Sequence, residues 1–269
     1  MEGDLFRISH SKIRAFETCR KLYWFRYVSG LQWPRPAPTP AGVVGTAVHR
    51  AMKILCDTGV AEDGANELDT YLRMPAHECA GPGTEHYRIA FELFAKGCEA
   101  HDSIAAEKSW AELETWAPWP SRNLSLTARI DRVDRLAPDH YQVIDWKTGR
   151  YDFDDVIDFQ LDIGQIAARV SRQLPEHVRV TAIGWNLRSG DQRVRELGRS
   201  QARATMERVA GIAERMQTTS EFEPTPGPLC RYCDWLPQCP EAAAATYDDS
   251  EGEELEERPE FELQGDFPG

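Results

Sequence analysis

An α/β fold, a mixed sheet flanked by helices, is the class this 269-residue chain predicts. Three observations carry that expectation. Helical spacing of apolar residues dominates up to about residue 106. Three strand-like runs then follow in succession, "KSWAELETW" (108–116), "LSLTARIDRVDRL" (124–136) and "YQVIDW" (141–146), the last two separated by the turn "APDH". Finally a helical run, 154–174, leads into one more strand, "VRVTAIGWNL" (178–187). The order is helices, then strand–strand–strand–helix–strand, with no internal repeat.

Taken in order, residues 9–28 place Ile13, Phe16, Leu22 and Phe25 at helical spacing behind Ser9 as a cap. "WPRPAPTPAG" (33–42) is too rich in proline for a helix or a central strand. Residues 43–56 read as a second helix, 57–84 as a polar loop with short helical pieces, and 85–106 as a third helix. After the sheet, 199–217 is a last helix. The length suits one large domain with additions.

The net charge of −13 is a poor match to a nucleic-acid-binding protein until its distribution is examined. From Asp248 onward there are ten acidic residues and one Arg, a net −9, which leaves −4 for the rest. Residues 246–269 therefore read as an acidic, solvated, disordered tail and 1–245 as the folded part, in which a local basic groove is compatible with the balance. No apolar run reaches eighteen residues and the N-terminus lacks a basic-then-apolar signal, so a soluble cytoplasmic protein without a membrane partner is expected.

The stretch "VIDWKTG" sets Asp145 and Lys147 two apart on a strand, hence on one face. A surface ion pair of this type contributes about 0–1 kcal/mol; an acid and a base at a strand end are also what metal-assisted hydrolysis uses. Asp131 lies among β-branched residues in the preceding strand, and the "APDH" turn makes the two strands antiparallel neighbours, within reach of each other. Strand alternation places Leu124, Leu126, Ala128 and Ile130 on one face and Asp131 with Val133 on the other, and Asp134, near the strand end, is expected to be solvated. Two converging carboxylates repel unless a cation lies between them, and oxygen donors favour Mg²⁺ or Mn²⁺. His49, in "GTAVHRAM", is a hydrogen-bonded core histidine or a further ligand that favours Mn²⁺.

Cys230, Cys233 and Cys239 form a C-x₂-C-x₅-C set in a proline-rich loop, and Cys19 on the first helix is the candidate fourth thiol. Zinc and a 4Fe–4S cluster both accept four thiolates, and the spacing does not separate them. Cys56, Cys79 and Cys98 read as structural.

Taken together, these residues resemble the iron–sulfur nucleases of the PD-(D/E)XK superfamily, in particular RecB-family exonucleases. Those include the CRISPR-associated adaptation nucleases and the nuclease domains of bacterial recombination helicases. The family's S-x-S-x-h-x-x-F-x-x-C helix, with h apolar, matches "SHSKIRAFETC"; G-x-x-x-H matches Gly45 to His49; G-x-I-D-R-h-D matches "ARIDRVD", with Ala128 in place of Gly; D-x-K-T-G is intact from Asp145 to Gly149; and the cysteine triplet closes the set. The similarity spans about residues 8 to 240.

The resemblance implies a restriction-endonuclease-like αβββαβ core with N-terminal helices and a C-terminal Cys loop closing an Fe–S site. By it, 1–245 is a single nuclease domain clasped by a 4Fe–4S cluster on Cys19, Cys230, Cys233 and Cys239. His49, Asp131, Asp145 and the carbonyl of Trp146 hold Mg²⁺ or Mn²⁺, and Lys147 is catalytic. The Q-x-x-x-Y motif is half present: Gln160 fits, Gly164 stands at the Tyr position, and Gln165 is a stand-in. Glu107 falls where some relatives carry an acid. The implied activity is metal-dependent exonucleolytic hydrolysis of DNA, at single-stranded or duplex ends, in recombination, repair or CRISPR adaptation, beside a helicase or other proteins of those pathways. The rival is a non-cleaving DNA-binding adaptor on the same fold. Trp24, Trp33 and Trp146 are candidates to stack on bases.

Overall fold

The computed structural model describes residues 5–32, 34, 37–150, 155–171, 174–175 and 177–245. The tail, Trp33 and residues 154, 172 and 173 of the 154–174 helix lie outside them. Two compact units emerge. One comprises the first seven residues and Pro38–Glu207, the other Ile8–Ala37 with Arg208 onward.

The first unit holds a mixed sheet of β1 (Phe6–Ile8), β2 (Lys108–Trp119), β3 (Leu124–Ala137), β4 (His140–Lys147), β5 (Arg179–Asn186) and β6 (Gln192–Arg195). Its order is β1-β3-β4-β5-β6, with β2 also paired to β3. β3 and β4 are antiparallel across Pro138 and Asp139, and β4 and β5 are parallel, linked through helix α6 (Asp155–Val170). A parallel pair needs such a crossover, since a tight turn cannot reverse the chain twice. The mixed α/β class and the strand–strand–strand–helix–strand order are thus those expected. β1 and β6 are additional, each too short for a periodic signal.

Helices α3 (Pro40–Thr58), α4 (Ala61–Leu72) and α5 (Glu85–Ser103) cover one face of the sheet. Val48, Met52, Leu68 and Phe94 pack there with Ile144, Trp146, Ile183 and Leu187. α3 starts earlier than its periodicity indicates, because Thr39 accepts the Gly42 amide at 3.2 Å and Pro40 fills the first turn. It ends where Gly59 turns left-handed at φ 71°. α4, at 12 residues, is longer than the short helical pieces expected within a loop there. Gly64 lets it approach α3, since a Cβ there would stand 2.9 Å from the Ala51 carbonyl, and helical propensity gives no credit for such a packing contact. On the opposite face α6 buries Leu161 and Ala168 against Val143, Val180 and Ala182.

In the second unit the helix expected over 9–28 is two helices, α1 (His10–Thr18) and α2 (Arg20–Tyr27), broken at Cys19. Ser9 caps α1 as expected, accepting from the Lys12 amide at 3.3 Å. Cys19 takes φ −160°, ψ 118°, an extended conformation between the two helices. α7 (Arg199–Thr218) runs into this unit, and short 3₁₀ turns carry the cysteine loop to α8 (Pro240–Ala245). Phe25 stacks on the buried Trp235 at 4.8 Å, and Phe16 meets Tyr23 edge-on at 5.3 Å.

Candidate active site

β4 places Asp145 and Lys147 on the α6 face and buries Trp146 on the other, as strand alternation requires. Lys147 Nζ lies 2.9 Å from Asp145 Oδ2. Gln160, one turn into α6, joins both groups: its Nε2 donates to Asp145 Oδ1 at 2.9 Å, and its Oε1 accepts from Lys147 at 3.2 Å. α6 is held in that rotation by two bidentate pairs, Arg193 to Asp158 (2.6 and 2.6 Å) and Arg195 to Asp162 (2.9 and 3.0 Å). The Arg193 guanidinium above all holds the Asp158 carboxyl below its usual range.

Asp131 on β3 accepts the Trp146 amide at 2.8 Å through Oδ2, and its Oδ1 stands 3.4 Å from His49 Nδ1 on α3. The Trp146 amide links the two halves of the site. His49 from α3, Asp131 from β3, Asp145 and Lys147 from β4 and Gln160 from α6 thereby form one neighbourhood from four elements. Their side chains are mostly covered, at 23% exposure for His49, 9% for Asp131, 17% for Asp145 and 11% for Lys147. An imidazole and two carboxylates at the mouth of a buried sheet are the donor chemistry of a hard or borderline divalent ion. Among the described residues, however, no three His, Cys, Asp or Glu side chains are drawn together tightly enough to hold an ion; Lys147 and the Trp146 amide lie against the carboxylate oxygens instead.

Several expectations are corrected. Asp134 is not solvated: it is fully buried on the α5 side of the sheet, where Arg132 (2.7 Å), Ser109 (2.6 Å) and Gln142 (2.8 Å) donate to it. Gln165 does not stand in for the missing Tyr. It is fully buried, bonding the Val180 and Arg195 carbonyls and accepting from the Leu197 amide at 2.9 Å. Trp146, at 2% exposure, is core and presents no face to a base. Trp24 is half-buried with the Lys21 ammonium 4.8 Å from its ring centre. Glu107 is exposed and pairs with Arg135 at 2.7 Å. The alternation assumed for β3 also fails, since Ile130 and Val133, three apart, enter the same core under α6.

In the second unit Cys19, Cys230, Cys233 and Cys239 line one cavity of about 50 Å³, walled by Leu22 and Phe25. The Thr225 amide points at Cys19 Sγ and the Gly227 amide at Cys230 Sγ, each at 3.4 Å. These amides had no sequence signal. Burial pushes the Cys233 and Cys239 thiols up. Cys56, raised to about 11 by burial, lies apart from this cavity in the first unit.

A family model described as the PD-(D/E)XK nuclease superfamily matches residues 7–240. A crystal structure from Eubacterium rectale, described provisionally as an exonuclease, is similar at 14% identity with a TM-score of 0.52, covering 86% of this chain and 87% of that one. A crystal structure described as SSO0001 matches at 14% identity and a TM-score of 0.38, covering 80% and 90%. The first of these likenesses is one of fold. No curated protein matches the sequence.

Proposed function

The chain belongs to the PD-(D/E)XK nuclease superfamily over residues 7–240, and from that premise we propose that it is a Mg²⁺- or Mn²⁺-dependent deoxyribonuclease acting as an exonuclease on DNA ends. The observation that carries this reading is the joined set His49–Asp131 and Asp145–Lys147–Gln160 bridged by the Trp146 amide. His49, Asp131, Asp145 and the Trp146 carbonyl would hold the metal, which would supply Lewis-acid activation of water and of a phosphoryl oxygen.

The protein's own residues do the rest. Asp145 and Gln160 fix the Lys147 ammonium at one position, so that it donates to the scissile phosphate as negative charge builds there. Donation from the Trp146 amide fixes the Asp131 carboxylate without using a mobile side chain. Apolar packing of Trp146 and Ile144 behind the site keeps β4 rigid. The resemblance supports single-stranded ends and a role in recombination, repair or CRISPR adaptation, alongside a helicase or related proteins.

The four-thiol cavity supports a structural 4Fe–4S cluster on Cys19, Cys230, Cys233 and Cys239. Zinc also accepts four thiolates, and it is the resemblance that favours the cluster here. Two amides aimed at sulfur suit thiolate ligands. The second unit then depends on occupancy, because the cluster joins residues about two hundred apart.

The test is anaerobic purification followed by digestion of end-labelled single- and double-stranded DNA with Mg²⁺ or Mn²⁺. Native protein should be brown and shorten the strand from an end, and Asp145→Ala should keep the colour and lose cleavage. Cleavage retained in that variant overturns the site; colourless protein containing zinc overturns the cluster.

A further inference from the structure

Asp131 sits where β3 is released from both neighbours. Toward β4 the ladder ends at Arg132 opposite Ile144, although β4 continues beside β5 to Lys147 opposite Asn186. The Trp146 amide turns instead to the Asp131 side chain. Toward β2 the pairs run in one register from Lys108–Arg135 to Trp119–Leu124 and skip only Glu112 opposite Asp131. Glu112 has φ 48°, the left-handed region that non-glycine residues seldom occupy. Its carboxylate is engaged away from the gap, 2.8 Å from Arg129.

The consequence shows in which face each residue presents. Trp110 and Leu113 on β2, like Val133 and Ile130 on β3, are three apart yet pack into the same core under α6. A regular strand sends such residues to opposite faces. Both strands therefore make half a turn at Glu112 and Asp131 without a change of register, and that re-aims the side chains there. The turn presents the Asp131 carboxylate to His49 and to the Trp146 amide.

The geometry points to Glu112 as a positioning residue for the proposed nuclease site, acting through its left-handed backbone and not through its carboxylate. Strain held beside a reactive centre by the surrounding packing is a known way of pre-organising it. The inference rests on Asp131 being a site residue, so its test needs a readout independent of cleavage.

That readout is hydrogen exchange of the Trp146 amide in the native chain and its variants, with Asp131→Ala marking full loss of protection. Glycine takes a left-handed φ freely, asparagine tolerates it, and valine resists it. Trp146 protection and kcat should therefore rank Glu112→Gly above Glu112→Asn above Glu112→Val. The valine variant should lose about 100-fold in kcat with little change in KM, the size expected of a misplacement near 1 Å. Should valine prevent folding, alanine takes its place in the ranking. Native protection and kcat in the valine or alanine variant would overturn the inference, as would equal losses in Glu112→Gly. If native protein cleaves no DNA with either ion, the nuclease reading fails, while the exchange ranking still decides the role of Glu112.

Discussion

Strands β3 and β4 carry an acid cluster on each side, and the two differ in how completely they are satisfied. Asp134 is fully buried, and Arg132, Ser109 and Gln142 saturate it; Arg132 in turn reaches His101 Nδ1 at 2.8 Å. Asp131, three residues earlier, shares a partly covered neighbourhood with His49, and Asp145 beyond it is 17% exposed. Both acids look alike in "IDRVD". The closed network of buried charges is the one we assign to structure, whereas the half-covered set with a lysine among its carboxylates is the one proposed for chemistry.

Substitution should separate the two clusters most sharply. Asp131→Asn keeps an oxygen for the Trp146 amide, so urea unfolding should barely change while DNA cleavage disappears. Asp134→Ala leaves the Arg132 guanidinium buried without its counter-charge and should cost about 3–5 kcal/mol in the same unfolding measurement. A reversal of those two results would exchange the roles assigned to the clusters.

A smaller effect is expected from Gln165→Ala, about 1–3 kcal/mol, because it strands the Leu197 amide and two carbonyls inside the protein. Cleavage by that variant, measured well below its melting point, should be near native, whereas a DNA-contacting glutamine would lose activity first.

The buried network also has a pH signature. Burial first, and then the Arg132 charge, holds His101 below the usual imidazole range, against the opposing pull of Asp102 and Asp134. The unfolded chain therefore binds the extra proton first, so this contribution to stability is complete above about pH 6.5 and is lost as the pH falls below it. His101→Gln should flatten that part of the unfolding curve. The smallest change should come from Glu107→Ala, within about 0.5 kcal/mol, because its pair with Arg135 is exposed.

Legibility followed local chemistry. The D-x-K strand, the β3–β4 hairpin, the α6 crossover and the gathering of Cys19 with the C-terminal triplet were all readable, since each depends on periodicity or on residue types that few other roles demand. The length of α4 was missed because it packs on α3 through Gly64, and the break at Cys19 because apolar residues keep helical spacing on both sides of it. The fate of Asp134 and Gln165 was misread for a different reason. Whether a polar side chain is saturated depends on partners far away in sequence, such as Ser109 and Leu197.

Residue type and spacing alone were enough for the strand–strand–strand–helix–strand order and the family likeness, and they singled out the acids, base, histidine and thiols proposed for the two sites. Tertiary structure decided which acid faces the site, that Gln160 bridges Asp145 and Lys147, and that both strands turn over at Glu112. The physical reason is range. Strand and helix periodicity are set within a few residues, whereas burial, hydrogen-bond saturation and a half-turn in a ladder arise only when distant segments meet.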